Sequence, residues 1–277
     1  MRKDELIRLA KETVEIGKSR FFSTNGGFSY CFDAPTTKVI GVDDDVPLLT
    51  PVEVTDETTL QAAARFVSAP QFAFTPKGPS RVGVLNFASA KNPGGGFLRG
   101  TSAQEESIAR SSSLYSSLTD PQCEEFYQSH KTSGDLLYSD RMIFTKDCFV
   151  FRDDDGNFLR NAYYVDVLTA AAPNLRAIKE KLGVGREWAQ QKRLAEEAIR
   201  RRAGKILRVF ADQRCDVLVL GAWGCGVFGN DPDVVAEAFS TALTSNGLSG
   251  YFRAICFAIA GGGENLERFS AAFRRRL

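Results

Sequence analysis

The fold of this chain is decided by residues 85–118, which read LNFASAKNPGGGFLRGTSAQEESIARSSSLYSSL. The apolar stretch 82–88 predicts a buried strand, and the helical spacing from Ser102 to Leu118 predicts a helix. Between them lies a glycine turn, whose backbone can adopt positive φ and approach a ligand closely. The helix start would present unpaired amides that suit phosphate or another anion. A tight turn without any ligand also explains such a glycine run.

A second glycine turn lies at residues 221–232, GAWGCGVFGNDP, between a predicted strand (215–220) and a predicted helix. It contains a GxGxxG pattern, but a dinucleotide fold places that motif in its first unit, with an acid about 20 residues further on. Position 249 is serine, and neither turn is followed by the GK[ST] of a phosphate-binding P-loop. Two such turns at the ends of two strands instead predict a crevice that holds a diphosphate.

An acidic pair, Glu105–Glu106, opens the helix after the first turn. Ser102 and Glu105 fit a capping box, which would give Glu105 a structural role. Adjacent helical residues point roughly 100° apart, so the two carboxylates cannot flank one bond as a usual glycosidase pair does. We expect one of them to face the crevice while the other holds the loop or the substrate.

Composition excludes several classes of protein. The 277 residues carry 35 basic and 34 acidic side chains, so no broad field attracts nucleic acid or membranes. The one histidine, His130, has polar neighbours that predict an ordinary surface residue in a loop. Six cysteines lack CxxC spacing, which favours reduced thiols in the cytoplasm. We expect no metal, no cofactor, no signal segment and no membrane span.

Alternating strands and helices predict an α/β chain whose sheet is covered on both faces. We expect residues 1–75 to form an N-terminal extension packed on a core of residues 76–277, within one continuous globular unit. The extension would contain helices at about 4–16 and 55–69, the latter with Asp56 and Glu57 in its first turn. In the core, the longest predicted helix covers residues 186–213.

Residues 85–118 resemble the signature of the microbial-type poly(ADP-ribose) glycohydrolases, a branch of the macrodomain superfamily. In that pattern six to eight residues separate GGG from QEE, and here seven residues separate Gly96 from Gln104. Residues 221–232 resemble the family's diphosphate loop, and residues 149–159 and 165–174 are also similar to family segments. The resemblance implies a macrodomain-like three-layer α/β/α fold with a mixed central sheet and an N-terminal helical extension.

The resemblance also implies a function, namely hydrolysis of the ribose–ribose O-glycosidic bond in poly(ADP-ribose) with release of ADP-ribose and no cofactor. Glu106 falls on the catalytic carboxylate of the family and Glu105 on the acid that positions the ribose. Phe228 falls on the aromatic residue that packs on the distal ribose, although core packing also explains it. The residues that fall on the substrate-binding positions are Asn92, Pro93, Gly94, Gly95, Gly96, Gln104, Gly224, Cys225, Gly226, Val227 and Phe228.

Two alternatives stay open: a macrodomain that binds ADP-ribose without cutting it, and a hydrolase of mono-ADP-ribosyl groups. The intact QEE of residues 104–106 favours the glycohydrolase. Adenine recognition is not assigned, because residues 258–265, AIAGGGEN, are unusually rich in glycine. We expect poly(ADP-ribose) or ADP-ribosylated proteins as partners and a monomer in the cytoplasm, or in the nucleus if the source is eukaryotic.

Overall fold

A computed structural model describes residues 1–23, 29–31, 36–38, 50–75, 78–245 and 248–274. Within these residues the main sheet has seven strands, in the order β3–β8–β9–β7–β10–β11–β4. The pairs β3–β8 and β8–β9 are antiparallel and the others are parallel, so the sheet is mixed as expected. The strands are β3 Thr36–Lys38, β4 Val52–Thr55, β7 Val82–Phe87, β8 Met142–Arg152, β9 Phe158–Ala170, β10 Val217–Leu220 and β11 Ala254–Ala258.

Helices cover both faces of this sheet, which confirms the predicted α/β/α layering. They are α1 Lys3–Ser19, α2 Thr59–Ser68, α3 Pro70–Ala73, α4 Gln104–Ser111, α5 Leu114–Leu118, α6 Glu124–Ser133, α7 Leu175–Leu182, α8 Arg186–Asp212, α9 Pro232–Ser245 and α10 Gly263–Arg274. Two small hairpins pair β1 Phe21–Ser23 with β2 Ser29–Cys31 and β5 Phe74–Thr75 with β6 Gly78–Pro79. In the described part of the chain, no helix has the length and apolarity needed to cross a membrane.

Two apolar cores follow from the alternation of side chains along the central strands. On β7, Leu85 packs with residues of α8 and α9, such as Phe210 and Phe239. Its neighbour Val84 packs on the opposite face, with Phe66 of α2 and Ile108 of α4. The strands β7 and β10 are buried on both faces, as parallel strands usually are. Their carboxyl ends therefore lie between two helical layers.

The first 75 residues contribute to the sheet as well as to the surface. β4 pairs with β11 at one edge and β3 pairs with β8 at the other. Helix α1 packs against α4, where Ala10 contacts the cluster of Phe97 and Ala109. The division at residue 75 stays a prediction. The apolar stretch at 37–42, TKVIGV, also predicts a short strand. β3 covers its first two residues, and the rest lies outside the described residues.

Two helix predictions were wrong in their detail. The helix predicted at 55–69 begins at Thr59, because Thr58 caps it in a capping box with Gln61 while Asp56 and Glu57 precede it. The helix predicted at 102–118 is two helices, since Ser112 adopts extended backbone and pairs with Val150 of β8.

His130 is also not the surface loop residue that the sequence predicts. It lies in α6 with 2% of its surface exposed. Its Nε2 accepts the Ser139 N–H at 3.0 Å, and its ring packs edge-on against Phe126 and Tyr138. Burial lowers the pKa of His130. Its role is therefore to join α6 to the segment that enters β8.

A buried cation, Arg202, joins α8 to the segment before β8. Its guanidinium donates to Asp140 and to the carbonyl oxygens of Ala171, Leu137 and Tyr138, at 2.6–3.0 Å. Only 1% of its side chain is exposed, whereas its neighbour Arg201 binds the same Asp140 with 51% exposed. The two arginines thus share a partner and differ in burial.

We predict that Arg202→Leu lowers the free energy of unfolding by about 3–5 kcal/mol, because three carbonyl oxygens and one carboxylate lose a buried partner. Arg201→Leu, the matched control, should cost less than about 1 kcal/mol, since exposed ion pairs contribute little. Urea denaturation followed by circular dichroism measures both values. Equal losses in the two variants would contradict the importance of the buried contacts.

Candidate active site

A cleft of about 510 Å³ opens at the carboxyl ends of β7, β10 and β11. The helix start after the first glycine turn forms one wall, and the second glycine turn forms another. In the described part of the chain its ionisable wall residues are all acidic. The residues that line the cleft include Glu57, Thr58, Gln104, Glu105, Glu106, Asp154, Gly224, Gly226, Val227, Phe228 and Asn265.

The first glycine turn folds back against the acidic pair. Gly94 and Gly95 have φ of +65° and +61°, a conformation that glycine adopts without steric cost. A Cβ at Gly95 would collide with Glu106 Oε1 and would lie 3.0 Å from Glu105 Oε2. The backbone of Gly95 therefore lies between the two carboxyl groups. Gly96 N–H then donates to Glu106 Oε1 at 2.9 Å.

Glu105 holds the chain that leaves β7. Its Oε2 accepts the Ser89 N–H at 2.7 Å, and its Oε1 accepts the Asn86 side-chain amide at 3.3 Å. Only 3% of the residue is exposed. Burial raises the pKa of Glu105 to about 8, and the charge of Glu106 raises it as well, while the hydrogen bond from Ser89 acts in the opposite direction. Glu105 therefore holds the segment that leaves β7 against the start of α4.

Glu106 has one oxygen fixed and one oxygen available. Oε1 accepts the Gly96 N–H, whereas Oε2 has no hydrogen-bond partner in the described part of the chain. Oε2 is not among the fully buried atoms that lack a partner, and Glu106 lines the cleft. This oxygen can therefore exchange a proton with a bound molecule.

The start of α4 is held by Gln104 rather than by Ser102. Gln104 Oε1 accepts the Phe87 N–H at 2.9 Å, and its Nε2 donates to the Leu85 carbonyl at 2.7 Å. Ala103 is the N-cap and makes no side-chain cap bond, so the predicted capping box of Ser102 and Glu105 was wrong. Glu105 instead finds partners beyond its own helix. The amide of Gln104 fastens α4 to β7, and its contact with a ligand stays a prediction.

A buried guanidinium lies behind the acidic pair, one helical turn after Glu106. Arg110 is 4% exposed and donates to the Thr101 carbonyl at 2.7 Å. Burial lowers its pKa, while the charges of Glu106 and Asp154 raise it. Arg110 therefore fixes the end of the first turn and partly balances the negative charge of the cleft.

The second glycine turn is anchored to the end of β9. The Trp223 indole is fully buried and donates to the Ala170 carbonyl at 2.9 Å. Asn230 donates to the carbonyl oxygens of Pro173 and Gly224 at 2.8 and 2.9 Å. Gly224 has φ of +76°, and a side chain there would collide with Ala172. These contacts fix the loop before it turns into α9.

Three successive backbone amides of this loop are unpaired. In the described part of the chain, the N–H groups of Gly226, Val227 and Phe228 donate to no protein acceptor. All three residues line the cleft. Successive free N–H groups form a positive concave surface that suits an anion. The arrangement can hold a diphosphate without any side-chain charge.

Some of the predicted binding residues are not on the cleft wall. Asn92 is exposed, whereas Gly94 and Gly96 are buried. None of the residues from 92 to 96 lines the cleft. Their contact with a ligand stays a prediction.

Cys225 is also off the cleft wall. Burial raises the pKa of its thiol to about 12, so it is protonated at neutral pH.

Sequence reasoning missed three polar residues. Asn86 is fully buried at the end of β7, where it donates to both Glu105 and Thr169. Asp154 and Thr58 line the cleft together, and the Thr58 hydroxyl donates to Asp154 at 2.6 Å. An asparagine inside the apolar strand pattern was a usable signal for Asn86. Asp154 and Thr58 are 96 residues apart, and nothing in the pattern relates them.

Among the described residues, one group of side chains has its donor atoms close enough together to hold a metal ion. Glu53, Glu57 and Cys256 bring three donor atoms within 4.8 Å of one another. Arg65 already donates to both carboxylates, at 2.5 and 2.6 Å. The guanidinium therefore takes the place that a cation would need.

The layered fold, the anion-binding loop and the acidic pair define a macrodomain-type glycosidase site. The family description "Microbial-type PARG, catalytic domain" matches residues 9–153. The structure of poly(ADP-ribose) glycohydrolase from Thermomonospora curvata bound to the inhibitor ADP-HPD is 37% identical, covers 99% of this chain and 100% of its own, and has a TM-score of 0.80. The chain belongs to the microbial-type PARG family.

A second similar structure is poly(ADP-ribose) glycohydrolase from Deinococcus radiodurans in complex with ADP-ribose. It is 32% identical, with 99% of this chain and 92% of that chain covered and a TM-score of 0.73. Among curated proteins, no significant match was found.

We predict that Gly95→Ala lowers kcat/KM by at least about 100-fold, because a methyl group there displaces the carboxylates by an ångström or more. Gly134→Ala is the matched control, since Gly134 has a similar φ of +63° but open space around it. Both variants should lose about 1–2 kcal/mol of stability from the left-handed backbone. Steady-state kinetics and thermal unfolding measure the two effects. Similar activity in both variants would show that the close approach is unimportant.

We predict that Glu105 contributes a decrease in stability between about pH 4.5 and pH 8, because the folded residue keeps its proton to about 8 while the unfolded residue loses it at 4.5. In that window the unfolded chain binds fewer protons, so the free energy of unfolding decreases as pH rises. Denaturation at several pH values should show a flatter profile for Glu105→Gln. The exposed Glu267→Gln serves as control and should keep the profile of the parent chain. A profile that Glu105→Gln leaves unchanged would mean that Glu105 titrates normally.

Proposed function

We propose that this protein hydrolyses the ribose–ribose O-glycosidic bonds of poly(ADP-ribose) and releases ADP-ribose, with Glu106 as the single general acid and base. The observation that carries the proposal is the free Oε2 of Glu106, which opens into the same cleft as three unpaired amides. A molecule that only reads ADP-ribose needs the amides but has no use for the available carboxylate oxygen.

In this proposal the amides of Gly226, Val227 and Phe228 bind the diphosphate. The adjoining distal ribose then lies between the Phe228 ring and the start of α4. Phe228 is half-buried, and its ring lies 6.1 Å from that of Tyr138, so it is supported from behind. This support restricts the ring and with it the position of the anomeric carbon. Precise placement of reacting groups contributes a large part of many rate enhancements.

The proton moves twice in the proposed reaction. Glu106 first donates a proton to the leaving ribose oxygen as the C–O bond to the anomeric carbon breaks, which leaves an oxocarbenium-like sugar. Water then attacks that carbon and returns a proton to Glu106. The first step requires that Glu106 carries the proton it donates. Glu105 fixes the segment that leaves β7 through Ser89 and Asn86.

We predict that Glu106→Gln lowers kcat by about 100- to 10,000-fold, the usual range for a lost general acid–base group. The glutamine keeps an oxygen that accepts the Gly96 N–H, so binding of ADP-ribose should stay within about threefold. Release of ADP-ribose from labelled polymer measures turnover, and calorimetry measures binding.

Three outcomes would change this assignment. A Glu106→Gln variant with normal turnover would refute the mechanism. A parent protein that binds ADP-ribose but cuts no polymer would be a reader, and one that acts only on single ADP-ribosyl groups would be a different hydrolase.

We also propose that the protein acts in a reducing compartment such as the cytoplasm. Five cysteines, namely Cys123, Cys148, Cys215, Cys225 and Cys256, are free thiols, which supports this location.

A further inference from the structure

The acidic groups of the cleft wall oppose the binding of a negatively charged ligand. Its wall carries Glu57, Glu105, Glu106 and Asp154, and within the described residues it has no lysine or arginine. The ligand of the proposed function carries a diphosphate with two negative charges. Backbone amides supply partial charges only. A cation close behind the diphosphate loop would therefore contribute strongly to binding.

Arg176 contacts the loop at this place. It is the second residue of α7, it is exposed, and two of its groups hold the loop. Its backbone N–H donates to the Phe228 carbonyl at 2.8 Å. Its guanidinium Nη2 donates to the Gly226 carbonyl at 3.4 Å. The Cβ of Arg176 would also be 3.4 Å from a side chain at Gly229, so α7 and the loop are in close contact.

These bonds determine where one of the free amides points. In a planar trans peptide the C=O and the following N–H point in opposite directions. The Gly226 carbonyl points to Arg176 and to the Gly229 N–H, from which it accepts a bond of 3.1 Å. The Val227 N–H of the same peptide unit therefore points away from Arg176. Since Val227 lines the cleft, that N–H is available to the ligand.

We propose that Arg176 is a positioning residue for the diphosphate subsite, fixing the Gly226–Val227 peptide with its N–H directed away from α7 and adding the positive charge that the cleft wall lacks. This inference rests on the proposed function, because it takes the ligand to be a nucleoside diphosphate sugar. The chain offers a matched control in Lys179, an exposed cation on the same helix that packs on Trp188 at 5.9 Å. No described bond joins Lys179 to the loop.

The test measures ADP-ribose binding by calorimetry for the parent chain, Arg176→Gln, Arg176→Lys and Lys179→Gln, at several salt concentrations. We expect Arg176→Gln to weaken binding by about 10-fold, in the range of a hydrogen bond to a charged group. Arg176→Lys should recover part of the loss because the charge remains. Lys179→Gln should stay within about twofold. In polymer cleavage, Arg176→Gln should raise KM and leave kcat within about twofold.

The salt dependence separates a charge from a purely structural anchor. If Arg176 acts on the phosphates through its charge, removing it should make the plot of log Kd against log salt concentration less steep. If Arg176 only holds the loop in place, removing it should leave that slope unchanged. Arg176→Gln with the affinity and slope of Lys179→Gln would overturn the proposal. A parent protein that does not bind ADP-ribose would instead refute the proposed function, so the two failures are distinguishable.

Discussion

The approach of the Gly95–Gly96 backbone to two carboxyl groups is the contact on which the site depends. Gly95 lies where no side chain fits, and Gly96 donates to Glu106. The seven intervening residues must then return the chain to the start of α4, which they do through a 3₁₀ turn at Phe97–Arg99. Phe97 is 1% exposed and packs on Ala10 of α1. The N-terminal helix, the turn and the acids therefore form one packed unit.

Charge in the cleft is controlled from behind its surface. Burial raises the pKa of Glu105 to about 8, and the buried Arg110 interacts with the charges of Glu106 and Asp154. The cleft thus carries less negative charge than its composition suggests. In the proposed function, anion binding depends on amides that act at contact distance, and this agrees with a formal net charge of only +1. Selection then follows from the shape of the ligand rather than from a long-range field.

Features that a short segment of sequence determines could be predicted, whereas contacts between segments that are distant in the sequence could not. Glycine runs, the adjacent acids and the continuous apolar stretch of β7 are local, and they predict the turns, the first helix turn and the sheet. The predicted capping role of Glu105 was wrong because this carboxyl finds Ser89 and Asn86, 16 and 19 residues away. His130 is buried because its ring packs on Tyr138, a contact that polarity alone does not reveal.

The separation of acid and amides is set mainly by the sheet. The first turn follows β7 and the second follows β10, and these are neighbouring parallel strands, so the turns begin about 4.8 Å apart. Each turn is fastened to a strand end, the first by Gln104 to Leu85 and Phe87, and the second by Trp223 to Ala170. Loop flexibility then contributes little to their separation. A diphosphate held by the second turn consequently places its attached sugar beside the first.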